Sequence, residues 1–116
     1  MRLTTRSHPR QELEIERVCR AIADPTRRAI LDLLAAQPRT TGDLAQRFPH
    51  TTRFATMKHL NVLVVAGLVV VTRRGRERFN HLNVVPLQRL HERWVAPLAS
   101  RGAASLLALQ KHLEEE

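Results

Sequence analysis

The sequence predicts a mainly α-helical fold with one β-hairpin, in the order four helices, hairpin, terminal helical segment. Three observations carry that expectation. Apolar residues recur at helical spacing from Leu13 to Leu63, punctuated by caps and prolines; the period turns strand-like directly after Gly67; and helical spacing returns from Pro86. The 116 residues, 43% of them hydrophobic, suffice for one domain and its core. A flexible N-terminal arm over residues 1–9 is expected ahead of a single domain over residues 10–116.

The first helix is expected from Gln11 to Ala23, with Leu13, Ile15, Val18, Cys19 and Ile22 on one apolar side. Asp24 suits an N-cap and Pro25 the first position of the second helix, whose buried stripe is Ile30, Leu31, Leu33 and Leu34 and which Pro38 ends. Thr40, with Asp43 three positions on, opens a short third helix through Leu44, Ala45 and Phe48, stopped by Pro49. Thr51 or Thr52 caps the fourth helix, which runs to about Ala66 and stops at Gly67, so a connection of about three residues joins helices three and four. Leu68-Val69-Val70-Val71-Thr72 reads as a strand, Arg73-Arg74-Gly75-Arg76 as a turn, and Arg78-Phe79-Asn80-His81-Leu82 as the returning strand. Over residues 86–114 the helical period runs through Leu87, Leu90, Trp94, Leu98, Leu106, Leu109 and Leu113, with Pro97 implying either a kinked helix or two helices that meet there.

Charge is unevenly spread. The net charge is +8, and between Leu44 and His91 eight Lys or Arg stand against Glu77 alone, while both flanking stretches are near balance. A basic middle between balanced ends points to one surface made for a polyanion. The element order is that of a winged helix-turn-helix, whose second motif helix fits the major groove of duplex DNA while an arginine-tipped hairpin reaches the backbone or minor groove.

On the fourth helix, Thr56, Leu60 and Leu63 should face the core, with Thr56 bonding back to a carbonyl. That leaves Thr51, Thr52, Arg53, Phe54, Met57, Lys58 and Asn61 outward, and His59 at the margin. Arg53 has the fork for guanine, Phe54 or Met57 can meet a thymine methyl, and Lys58 and the hydroxyls suit phosphates or base edges. Arg73, Arg74, Arg76 and Arg78 are assigned to backbone or minor-groove contact, and Thr40 and Thr41 to a phosphate at the start of the third helix. The terminal stripe is long for so small a core and implies a second copy of the chain, with Leu13, Val18, Ile22, Leu90, Trp94, Leu98, Leu106, Leu109 and Leu113 as dimerisation residues of helices 11–23 and 86–114.

Several runs together resemble the arsenic-repressor-like (ArsR/SmtB) winged-helix regulators of bacteria: Ala23-Asp24-Pro25-Thr26-Arg27-Arg28-Ala29-Ile30-Leu31, Gly42-Asp43-Leu44-Ala45, Met57-Lys58-His59-Leu60-Asn61-Val62-Leu63, Ala66-Gly67-Leu68-Val69 and the wing run at 73–76. The resemblance covers roughly residues 12–95, and its closest branch is one of small, metal-free members. It implies a homodimeric repressor on an inverted-repeat operator. It also implies where metal-sensing members would carry ligands: third-helix thiolates at Thr40 and Gly42, and fifth-helix ligands near Val84, Pro86, Pro97 and Ser100, none of which can ligate in that way.

No cofactor is expected. The lone Cys19 reads as a small apolar helix residue, and no two of the six histidines have the four-residue spacing of a helical metal pair. No phosphate loop, nucleophile elbow or apolar carboxylate pair suggests an enzyme. No apolar run approaches the roughly 18 residues of a membrane span, and the N-terminus has no signal-peptide core, so a soluble cytoplasmic protein without a membrane partner is expected. The alternatives are a protein-binding winged helix and a nonspecific DNA-binding protein. The sequence names no small-molecule effector.

Overall fold

A computed structural model describes residues 9–115 of the chain. The elements in order are α1 (Pro9–Ile22), α2 (Pro25–Ala36), β1 (Arg39–Thr40), α3 (Thr41–Gln46), α4 (Arg53–Val65), β2 (Val69–Arg74), β3 (Glu77–Leu82), α5 (Val85–Leu90), a π-helical turn (His91–Val95) and α6 (Ala96–Glu115). The fold is mainly helical with a small antiparallel wing, as expected. The expected arm lies outside the described residues except for Pro9, which opens α1.

Local chemistry explains most boundaries. The Asp24 carboxylate accepts from the Arg27 amide at 3.0 Å, and Pro25 needs no amide partner in the first turn of α2. Across this corner the last carbonyls of α1 are capped by arginines of α2: Arg27 donates to Ala21 O at 2.7 Å and Arg20 O at 2.9 Å, and Arg28 to Ile22 O at 2.8 Å. A third Arg27 nitrogen lies 3.2 Å from His59 Nδ1 on α4, so one guanidinium ties three helices. At the other end of α4, Gly67 adopts φ +79° and the amides of Gly67 and Leu68 bond back to Val64 O and Leu63 O, the paired bonds of a Schellman stop. Leu68, one residue on, is fully buried.

The core is built around Val18, Ile30, Leu34, Leu44, Leu60, Leu63 and Leu68. This corrects one expected dimerisation residue: Val18 is fully buried, because α1 turns Ile15, Val18 and Ala21 inward on its own subunit, while Ile22 and Leu90, partly buried, flank the same cluster. Leu13 and Cys19 of the expected apolar side of α1 are instead exposed.

Four further departures have physical reasons. The hairpin is part of a three-stranded sheet in the order β1-β3-β2, since Arg39 and Thr40 pair with Asn80 and Phe79. α3 ends at Gln46, two residues early, because Arg47 and Phe48 bond three residues back rather than four and Phe48 precedes Pro49. The α3–α4 connection is correspondingly longer than expected. Near Pro97 the final segment is divided, α5 passing through the π turn into α6, which starts at Ala96; the wider turn just before the proline relieves the clash of its ring with the carbonyl four residues back. Finally, Thr56 is fully buried as expected but its hydroxyl has no partner.

Two outcomes follow from these contacts. Burial alone would raise the Asp24 carboxyl, but the Arg27 amide and the electrostatic pull of His59 and Arg27 outweigh it and hold the group below its ordinary 3.8. Its contribution is therefore complete above that value and disappears as pH falls through the lower folded value. Asp24→Ala should lose about 1 kcal/mol at neutral pH in urea unfolding, and the deficit should shrink in acid. A deficit that grows in acid would contradict the cap. Thr56→Val removes an unpaired buried hydroxyl and should raise stability by about 1 kcal/mol at unchanged denaturant m-value; a loss of stability would show that the hydroxyl is satisfied.

Candidate nucleic-acid interface

Burial of Thr56, Leu60 and Leu63 turns one side of α4 inward and leaves Arg53, Phe54, Met57, Lys58 and Asn61 exposed. Phe54 is 68% exposed, an unusual place for a phenyl ring unless something else covers it. The Lys58 ammonium sits 4.9 Å from the centre of that ring, a cation–π contact that holds both at the outward surface. Thr52 is the N-cap of α4, its hydroxyl accepting from the Ala55 amide at 3.0 Å, while the half-buried Thr51 donates to Thr52 O at 3.4 Å.

The wing lies beside this helix. β2 and β3 pair over Val69–Arg74 and Glu77–Leu82, with Arg74 opposite Glu77, so Gly75 and Arg76 are the two turn residues. Gly75 has φ +62° and Arg76 does not take a positive φ, which is the requirement of a type II′ hairpin turn. A cleft of about 320 Å³ runs between the start of α3, the first turn of α4 and the wing, lined by Gly42, Arg53, Met57, Arg73, Arg76 and Arg78 among others. Arg53 Nη1 stands 3.8 Å from where a Cβ on Gly42 would lie, ordinary contact distance, so the guanidinium rests against the start of α3.

Electrostatics separate two kinds of cation. In the helical body, Arg20 pairs with Glu16, Arg39 and Arg47 with Asp43, Arg89 with Glu14 and Arg93 with Glu12. The Arg47 hydrogen bond, opposed by desolvation and aided by Arg39, holds the Asp43 carboxyl below its usual range. Among the described residues no ion pair engages Arg53, Lys58, Arg73, Arg74, Arg76 or Arg78, and the single acid along the cleft is Glu77. Six cations without an ion pair thus cluster on the α4–wing side, where phosphate could neutralise them, while Arg10, Arg17, Arg28, Arg101 and Lys111, also without one among the described residues, are spread over α1, α2 and α6.

The structure does not bring all the expected residues together. Thr40 lines the cleft, although its hydroxyl accepts from the Asp43 amide at 3.0 Å as the cap of α3. Thr41 must be corrected: it is 6% exposed and its hydroxyl accepts from the Asn80 side chain at 3.1 Å, so it is a packing residue at the edge of the cleft rather than an open phosphate ligand. Arg74 points to the far face of the sheet, 5.8 Å from the Phe79 ring. Sequence reasoning passed over Asn80, whose fully buried amide donates to both Arg39 O and Thr41 Oγ1 and so locks the wing to β1 and α3. The available signal was its parity in β3: it alternates with Phe79 and His81 and shares the inner face with Leu82. Among the described residues no group of three or more His, Cys, Asp or Glu is placed to hold a metal ion.

Known proteins share both sequence and shape with this chain. The family described as a helix-turn-helix domain matches residues 22–72. The transcriptional repressor SdpR of Bacillus subtilis is 41% identical over 71 residues, which span 61% of this chain and 78% of the repressor. An ArsR-like transcriptional regulator from Rhodococcus sp. RHA1 superimposes with a TM-score of 0.72 at 28% identity, over 95% of this chain and 99% of that one. The winged helix-turn-helix DNA-binding domain Mb0332 from Mycobacterium bovis, described as homodimeric, shares the fold with a TM-score of 0.58 at 23% identity, over 97% of this chain and 96% of that one.

Proposed function

The chain belongs to the ArsR-like winged helix-turn-helix transcriptional regulators, DNA-binding proteins, and from that membership we propose that it represses transcription as a homodimer on an inverted-repeat operator. The observation that carries this reading is the coincidence of the outward face of α4 with the unneutralised arginines of the wing on one side of the domain. In the proposed complex α4 enters the major groove, where Arg53 reads guanine, Phe54 and Met57 meet thymine methyls, and Lys58, Asn61, Thr51 and Thr52 reach base edges or phosphates. Arg73, Arg76 and Arg78 lie along the flanking backbone, while Arg74 contributes only through its longer-range charge. The role is non-catalytic and requires no cofactor, and a cytoplasmic site of action, where the DNA is, follows from it. Among the described residues no helix is long and apolar enough to cross a membrane.

The dimer rests on a separate observation. α6 has 20 residues, roughly 30 Å of helix, and none of them is buried. Leu98, Leu106, Leu109 and Leu113 are 53–61% exposed and Trp94 is 40% exposed. Helices in proteins draw most of their stability from a packed apolar face, which α6 does not find within its own subunit, so a partner is needed to cover it. A second copy supplies that partner through α6 and the exposed Leu13 of α1. The homodimeric state of the Mycobacterium bovis domain accords with this. Two-fold symmetry would set the two α4 helices about one DNA turn apart, near 34–36 Å.

Fragments selected from host genomic DNA, then titrated by fluorescence anisotropy, test the central reading. Affinity should fall steeply with salt, with a log–log slope of about −0.9 for each phosphate contacted. A flat response would favour a protein-binding winged helix, and loss of binding to excess competitor DNA would favour a nonspecific binder. Arg53→Ala should cost about 1–3 kcal/mol and relax preference at one position, whereas Arg76→Ala should weaken all sequences alike and reduce the slope by about 1. Equal effects from both would contradict the division of labour. Truncation before Ala96 should give monomers in sedimentation, and a dimer that survives it would overturn the role given to α6.

A further inference from the structure

The ladder register divides the wing arginines into two unequal sets. Arg73 stands directly opposite Arg78, and Arg74 opposite Glu77. Side chains alternate along a strand, so Arg73 and Arg78 project from the same sheet face as the buried Val69 and Asn80. Both line the cleft against α3 and α4, and Arg53 closes it from the other side. Arg74 lies on the opposite face, over Phe79, and is not among the residues that line the cleft.

Two features of this arrangement work against the fold. Like charges directly opposite on one sheet face destabilise it, and neither Arg73 nor Arg78 has an ion-pair partner among the described residues. In addition, Arg78 Nε is enclosed and has no hydrogen-bond partner, although a charged group with an unpaired enclosed donor is expensive to keep. An oxyanion between the two guanidiniums relieves their repulsion, and their planar donor forks match a tetrahedral phosphate. The cleft, about 320 Å³, has room for one.

Resting on the reading of this side as the DNA-contacting one, we propose that the cleft is a preformed seat for a single phosphate group, clamped between Arg73 and Arg78 and closed by Arg53. The seat takes the group by its chemistry, whether a duplex backbone or a soluble polyphosphate carries it. Arg74, of equal charge and one residue away, is outside the seat.

The probe is inorganic pyrophosphate, titrated at low ionic strength into the full ¹⁵N-labelled chain while backbone amides and arginine Nε–Hε signals are followed. Saturable shifts are expected at Gly42, Arg73 and Arg78. Arg78→Gln and Arg73→Gln should each weaken pyrophosphate about tenfold or more, and Arg74→Gln less than about twofold, with the undisturbed amide spectrum of each variant reporting its fold. A duplex that displaces pyrophosphate from these signals assigns the seat to a backbone phosphate; one that binds while pyrophosphate stays assigns it to a soluble anion, and both results support the seat. Shifts spread evenly over the wing, equal losses at positions 74 and 78, or no saturable shift overturn it. If the duplex still binds in those cases, the DNA-binding reading survives; if no duplex binds, that reading fails on its own account.

Discussion

Everything this domain presents to its surroundings depends on how α4 is seated. Leu60 and Leu63 have almost no exposed surface, and each buried leucine contributes about 1.5–3 kcal/mol relative to an exposed one, so a rotation of the helix that released them would cost several kcal/mol. No polar contact on the outward face is strong enough to compete. The Schellman stop at Gly67 fixes where the helix ends, and the Arg27 guanidinium, bonded to two carbonyls of α1 and lying against His59, fixes it against the α1–α2 corner. The outward face is thus defined by the core, before any partner arrives.

A second constraint sets the charge of that face. Several acids of the helical body are used locally, with Asp43 held by two arginines and Glu14, Glu12 and Glu16 each paired. The sheet, by contrast, brings arginines together without counter-charges, and the buried Asn80 amide locks that sheet to β1 and α3. Wing, cleft and α4 therefore form one continuous cationic surface, while the bare leucines of α6 lie away from the core on an element that packs chiefly against the π turn. One side of the chain carries unpaired cations, and another exposed leucines.

What could be read from the residues was what local chemistry determines. Asp24-Pro25, Thr40 with Asp43, Thr52 and Gly67 mark helix ends through bonds that span three to five positions, and the change of period after Gly67 announces the wing. Features that depend on distant partners were not legible. β1 is two residues whose strand character comes wholly from pairing with β3, and Val18 shows the same helical spacing whether its stripe meets its own core or another subunit's. The π turn ahead of Pro97 is a backbone adjustment with no residue signature of its own. At the candidate interface, α4 was legible because Thr56, Leu60 and Leu63 recur at helical spacing on one side, but the division of the wing arginines needed the register, which the hairpin turn at Gly75 fixes. Thr41 was misread because its burial is imposed by Asn80 from a strand 39 positions away.

The proposed seating of α4 in the groove is open to direct observation. A nitroxide placed on the backbone of a selected duplex broadens the amide signals of whatever approaches it. Strongest broadening over Phe54–Asn61 and the tip at Gly75–Arg76, with α6 unaffected, is the predicted pattern. Broadening concentrated on α1 or α6, with α4 untouched, would mean that the outward face of α4 is not what meets DNA.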